Sequence, residues 1–173
     1  AGCAVQGEHI YDPDGVLGAI TEEVVADPYD VTVNISPRIF NFPIMNQIIT
    51  DTHFYERDRM GRLMVFMARL HEDRVARRLY GVGVSEQTSL FIDRNGVGIV
   101  DGNYEVYVLE EDAGTRRIQI APGRPAIYQD VIRYRLLSGD TFDFDTGATS
   151  ASSRDISIDG NFPTDPYSPR NPY

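Results

Sequence analysis

The sequence predicts an α/β domain, and three observations carry that reading. Between Glu56 and about Arg78 the apolar residues Met60, Leu63, Met64, Phe66, Met67 and Leu70 recur at helical spacing, with arginines and acids between them. Short apolar, partly β-branched runs stand on either side of this helix, Ile44 to Thr50 before it and Leu79 to Val84 after it, as buried strands do. The rest of the chain alternates in the period of strands and carries two hairpin signals. These are Asn95-Gly96, and Asp112-Ala113-Gly114 between Tyr104–Glu111 and Arg116–Ala121.

Taken in order, Ala1 to Tyr11 reads as a first helix with Ala4, Val5 and Ile10 turned inward, followed by a turn at Asp12-Pro13-Asp14-Gly15. Asp27 to Pro43 is interrupted by prolines and asparagines and reads as a long excursion, either a lid or a surface loop. The strand Ile44 to Thr50 ends just before an unusual cluster, Thr50 to Leu63, which gathers one histidine and three arginines. After the helix, Leu79 to Val84 is a buried strand whose glycines allow close approach by other backbone. A meander follows, with Thr88 to Asp93 starting a strand, Asp130 to Leu137 alternating as a half-buried one, and Phe142 to Phe144 pairing beside it. Residues 1–145 form the domain. From Thr146 the chain is rich in Ser, Asp, Asn and Pro and reads as a tail draped on a partner.

Composition narrows the function. A chain of 173 residues, 42% apolar, builds one real core. No run approaches the roughly 18 apolar residues of a membrane span, and the first residues lack a signal-peptide pattern. A net charge of -10 removes any general attraction for nucleic acid or anionic lipid, so neither is expected as a partner. All 16 basic residues are arginine. Lysine depletion with excess acid suits an exported or salt-exposed protein, with a cytoplasmic one as the alternative. The single cysteine, Cys3, excludes an internal disulfide and a cysteine-based zinc site. As a residue it is either a small packing side chain or a thiol at a helix start. The sequon Asn34-Ile35-Ser36 is followed by Pro37, which discourages glycosylation. Asp12 to Gly15 starts like a calcium loop, but Val16 and Leu17 stand where an oxygen ligand and a glycine are needed. His9, His53 and His71 do not fall at zinc spacing, so no metal or cofactor is expected.

The candidate chemistry lies in the cluster. His53, flanked by Asp51 and Phe54 at a strand exit, suits a general base because an imidazole takes and returns a proton near neutral pH. The competing reading is an ordinary surface or capping histidine. Glu86, just past the next buried strand, is placed to orient an imidazole and stabilise its charged form; an exposed glutamate is the bland reading. Arg59 and Arg62 share a helical face and Arg57 leans elsewhere. Their guanidinium groups suit a substrate carboxylate, or form a solvated first turn. Cations at a helix N-terminus oppose its dipole, so an acid should stand nearby.

The pattern Asp51, His53, Phe54, Arg57, Arg59, Gly61, Arg62 and Leu63 resembles the histidine motif of the cyanophycinase family of serine peptidases. Gly81 to Thr88, Gly-Val-Gly-Val-Ser-Glu-Gln-Thr, resembles the family's Gly-Ile-Gly-Ile-Asp-Glu-Asp-Thr, which carries the acidic triad member. Ala1-Gly2 look like the residues directly after the serine of the family's Gly-Thr-Ser-Ala-Gly elbow. The likeness covers roughly residues 1–145; the tail has no recognised counterpart.

The resemblance implies a three-layer α/β fold related to class I glutamine amidotransferases, this chain being its C-terminal half with a mixed sheet and hairpins. It implies a Ser-His-Glu triad with His53 as base, Glu86 orienting it, and the serine on a missing N-terminal half of the same precursor. Ala1 and Gly2 would then belong to the oxyanion hole and elbow, and Asp51, Thr52, Arg57, Arg59 and Arg62 to the substrate pocket. The expected substrate is a peptide or isopeptide bond near aspartate or arginine, and the expected partners are the N-terminal half and a second copy in a dimer. Four residues depart from the family pattern: Thr52 replaces glutamine, Asp58 replaces glycine, and Ser85 and Gln87 replace acids. The alternative is a catalytically inactive structural or interaction protein assembled from cleaved chains.

Overall fold

The computed structural model describes residues 7–12 and 18–173. In chain order the elements are β1 (His9–Tyr11), α1 (Thr21–Ala26), β2 (Ile35–Pro37), a 3₁₀ turn (Pro43–Met45), β3 (Ile48–Thr52), α2 (Met60–Glu72), β4 (Tyr80–Val84), β5 (Thr88–Ile92) and β6 (Val97–Gly102). They continue with β7 (Val106–Glu110), β8 (Arg116–Gln119), β9 (Ile127–Leu136), β10 (Thr141–Asp143), β11 (Ser152–Asp159) and β12 (Tyr167–Ser168). Among the described residues nine strands make one mixed sheet, ordered β12-β11-β9-β7-β4-β3-β1-β2 with β8 beside β9, and β10-β6-β5 make a small second sheet. The fold class is α/β, with a mixed sheet and few helices.

Side chains alternate across each strand and so divide the core in two. On one face Ile49, Tyr107, Leu109, Val131 and Ile156 pack with Leu63 and Met67 of α2 and with Val24 and Val25 of α1. On the other, Ile48, Tyr80, Val82, Val108 and Leu136 meet Val100 and Phe142 of the small sheet. β3 and β4 are parallel neighbours joined through α2, and β7, β9 and β11 extend the sheet antiparallel. An added Cβ at Gly81 would overlap Met67 and Leu63, and one at Gly83 would overlap the Phe54 ring. What the β4 glycines admit is therefore side chains, where close backbone was expected.

Several sequence expectations change. Of the expected first helix, His9–Tyr11 is a strand, parallel to β3; Ala1 to Gln6 lie outside the described residues. β3 occupies Ile48–Thr52 rather than Ile44–Thr50, because Pro43–Met45 closes into a 3₁₀ turn. α2 is shorter than Glu56–Arg78 at both ends. Asp58 (φ 43) interrupts helical geometry before it, and Arg74 (φ 58) ends it, with Val75 N–H bonded back to the Leu70 carbonyl at 2.9 Å. Asp112-Ala113-Gly114 is not a hairpin turn. β7 and β8 run in the same direction along β9, pairing with its Ile132–Leu136 and Ile127–Gln129 portions, so the loop is an interruption in one line of pairing. The strand at Phe142 pairs with β6 rather than with β9. The stretch expected as a tail is part of the sheet: β11 pairs along β9 and buries Ile156 and Ile158.

Candidate active site

β3 and β4 end side by side, with Thr52 opposite Val84. The residues that follow them therefore emerge together at the carboxyl ends of two parallel strands, the edge of an open α/β sheet where ligands bind. His53 follows β3, and Ser85 and Glu86 follow β4. His53 Nδ1 lies 2.6 Å from Glu86 Oε1, with the two side chains 40% and 44% exposed. Both are reachable from solvent, and the pair spans 33 positions of sequence.

The loop that carries His53 is held in an uncommon shape. His53 has φ 48, a left-handed conformation uncommon outside glycine, although histidine adopts it more readily than most residues, as asparagine and aspartate do. Phe54, fully buried, fills the space over Gly83 and lies 5.7 Å from the Tyr107 ring in a tilted contact. Its N–H donates to the Val84 carbonyl at 3.3 Å, tying the loop to β4. From the other side the Glu86 N–H donates to Glu56 Oε1 at 3.0 Å.

The remaining residues of the cluster divide by burial. Asp51 (3% exposed) and Arg62 (5%) form a two-point pair, Nε to Oδ2 at 2.6 Å and Nη2 to Oδ1 at 2.5 Å, and Arg62 Nη1 donates to the Ala19 carbonyl at 2.8 Å. Arg59 reaches the Thr52 carbonyl at 2.6 Å and Asp51 Oδ1 at 3.3 Å, and the Thr52 N–H donates to the same Asp51 oxygen at 2.8 Å. Burial, and then the neighbouring Arg62, lower the Arg59 pKa against the pull of Asp51. Asp51 is the acid expected beside these cations. Asp51, Arg62 and largely Arg59 thus support β3 and the start of α2 from within instead of presenting charge to a ligand. Arg57 is exposed, and its guanidinium has no hydrogen-bond partner among the described residues. Ala1 and Gly2 lie outside the described residues, so their expected place at an oxyanion hole is not part of this geometry.

An apolar groove of about 530 Å³, lined by Phe42, Ile44, Met45, Val82, Leu90 and Phe91 among others, does not include His53 or Glu86. Among the described residues no group of His, Cys, Asp and Glu is arranged to hold a metal. The sequence reading missed Glu56, Tyr167 and Tyr173 and marked Asp58 only as a departure from the family pattern; all four touch the His53 loop or the Glu86 turn. Two Pro-Tyr pairs in an otherwise polar stretch were the available signal for the tyrosines.

Comparison with known proteins adds a second line. The chain is 28% identical over 144 residues, 82% of its length, to a cyanophycinase of Trichormus variabilis, and equally to one of Nostoc sp.. The relationship is cyanophycinase-like. The matched region is 43% of each cyanophycinase, so the chain spans less than half the length of the curated relatives it matches. No family model matches the chain.

Proposed function

We propose that this chain is the base-bearing portion of a serine-type hydrolase of peptide or isopeptide bonds. The observation that carries the reading is the 2.6 Å contact between His53 Nδ1 and Glu86 Oε1 at the ends of adjacent parallel strands. With Nδ1–H donated to the carboxylate, Nε2 is left as the proton acceptor. The similarity to cyanophycinases supports the same reading.

In this mechanism the nucleophile is a serine on polypeptide outside this sequence, in keeping with the 43% coverage of the relatives. His53 Nε2 accepts the serine hydroxyl proton as Oγ attacks the carbonyl carbon, and Glu86 stabilises the imidazolium that forms. When the tetrahedral intermediate collapses, the C–N bond breaks and the imidazolium returns its proton to the leaving amine. Water then repeats the sequence on the acyl-enzyme. The exposed Arg57 supports a substrate with an acidic side chain or carboxylate near the scissile bond, since a free guanidinium binds carboxylate with two donors.

The test uses the full native protein with every chain that co-purifies. A fluorophosphonate probe should label a serine in the wild type, and hydrolysis of aspartyl-arginine peptides, α- and β-linked, should fall by a factor of about 10² to 10⁴ in His53→Ala. Labelling or hydrolysis that survives His53→Ala unchanged removes His53 as the base. Neither labelling nor hydrolysis in wild type favours the structural-protein alternative.

A further inference from the structure

The first three N–H groups of α2 have no capping side chain from their own turn, and Arg59 at the N-cap supplies none. Each instead finds a hydroxyl from far along the chain. Met60 N–H donates to Tyr173 Oη at 3.2 Å, Gly61 N–H to Tyr167 Oη at 3.1 Å, and Arg62 N–H to Thr21 Oγ1 at 3.3 Å. All three hydroxyls then donate to one residue. Tyr167 and Tyr173 both reach Asp58 Oδ1 at 2.8 Å, and Thr21 Oγ1 reaches the Asp58 carbonyl at 2.5 Å. Asp58 is thereby fixed at φ 43, a left-handed conformation that glycine takes freely and that aspartate keeps only where its surroundings over-determine it.

The tyrosines also grip the loop that carries His53. The Tyr173 ring meets Phe54, Tyr55 and Tyr107 edge-on at centroid distances of 6.1, 5.0 and 5.5 Å. The backbone behind the rings is tied down in turn. β12 pairs Tyr167 with Ile158 of β11, and Arg154 donates to the carbonyls of Asn171 and Tyr173, the latter at 2.9 Å. Burial raises both phenol pKa values, with the Asp58 carboxylate adding to the effect, so both stay protonated as donors. The two departures from the cyanophycinase pattern in this region, an aspartate in place of a glycine between the arginines and the C-terminal stretch without a recognised counterpart, thus meet in one hydrogen-bonded assembly.

We propose that Tyr167, Tyr173 and Asp58 are positioning residues that hold the His53 loop, the C-terminal segment acting as a built-in clamp on the base. This rests on His53 being the base of the proposed hydrolase, and its test is built so that the two can fail separately. Tyr167→Phe, Tyr173→Phe and the double variant keep the rings while removing the hydroxyls, and Asp58→Gly removes the shared acceptor while keeping a residue that takes φ 43 freely. In the full protein, imidazole NMR reads the Nδ1–H signal of His53 and its titration, the signal being assigned by its loss in His53→Ala. The double variant and Asp58→Gly should each broaden or shift that signal and move the His53 titration, without moving those of His9 and His71. kcat should fall about tenfold to a hundredfold with KM little changed. Adding Asp58→Gly to the double variant should cost nothing further, since the groups act as one unit. A His53 signal and titration identical to wild type in the double variant overturns the clamp, even where melting temperature falls. If no hydrolysis is found in any form, the NMR comparison still decides the clamp, and the failure belongs to the hydrolase reading alone.

Discussion

At the scale of single residues, burial separates side chains that the sequence presents as one cluster. Asp51 and Arg62 sit where water cannot replace a lost partner. Asp51→Ala leaves a buried cation unpaired and should lower stability by about 3–5 kcal/mol, read as a shift of the urea midpoint with unchanged slope. His71 and His9 define a second expectation. Burial lowers the pKa of both, the neighbouring Arg117 adding to the effect on His71 and Arg38 on His9, while Glu111 and the Ala76 carbonyl oppose it for His71 and Glu8 for His9. Each binds a proton less readily folded than unfolded. Their contribution to stability is therefore full above the ordinary value of 6.5 and is lost as the pH falls through 6.5 toward the lowered folded values. Unfolding midpoints should drop between about pH 8 and about pH 5.5, and His71→Gln should flatten part of that drop.

At the scale of elements, the β3-α2-β4 unit does the positioning. Gly83 is required because Phe54, the residue after His53, occupies the space its Cβ would fill. Gly83→Val should displace that ring, costing about 1–3 kcal/mol of stability by overpacking and moving His53 away from Glu86. Chemical denaturation measures the first effect and the His53 imidazole signal the second. α2 itself is buried nearly all round from Met60 to Ala68, although its sequence looks amphipathic, because α1 covers the side that the sheet does not. Its arginines escape solvent by pairing inward, as Arg62 does with Asp51, or by stacking, as Arg69 does 3.5 Å from the centre of the Tyr29 ring.

At the scale of the whole molecule, the stretch beyond residue 145 is as much part of the core as the helix. Ile156 is fully buried against the α2 face of the sheet. Ile156→Ala should destabilise the protein by about 2–5 kcal/mol in a single cooperative transition. A separate, earlier transition with the main one unmoved would show that β11 melts as an independent appendage.

Local pattern sufficed for the elements whose signals are local. The helical spacing of Met60 to Leu70, the buried run at Leu79 to Val84 and the Asn95-Gly96 turn each correspond to an observed element, because side-chain period and turn chemistry act over a few residues. His53 and Glu86 were also legible as candidates, since each follows a recognisable strand. Pairing was not legible. Whether Asp112 to Gly114 reverses the chain depends on β9 accepting both β7 and β8, and whether Ser152 to Asp159 is a tail depends on the free edge of β9, neither of which is written in the segment itself. The same holds for the hydroxyls that cap α2 from positions 113 and 106 residues away. Sequence determines what a segment prefers, and only the closed three-dimensional packing decides which distant edge, donor or charge satisfies it, because hydrogen-bond and burial demands are met by neighbours in space.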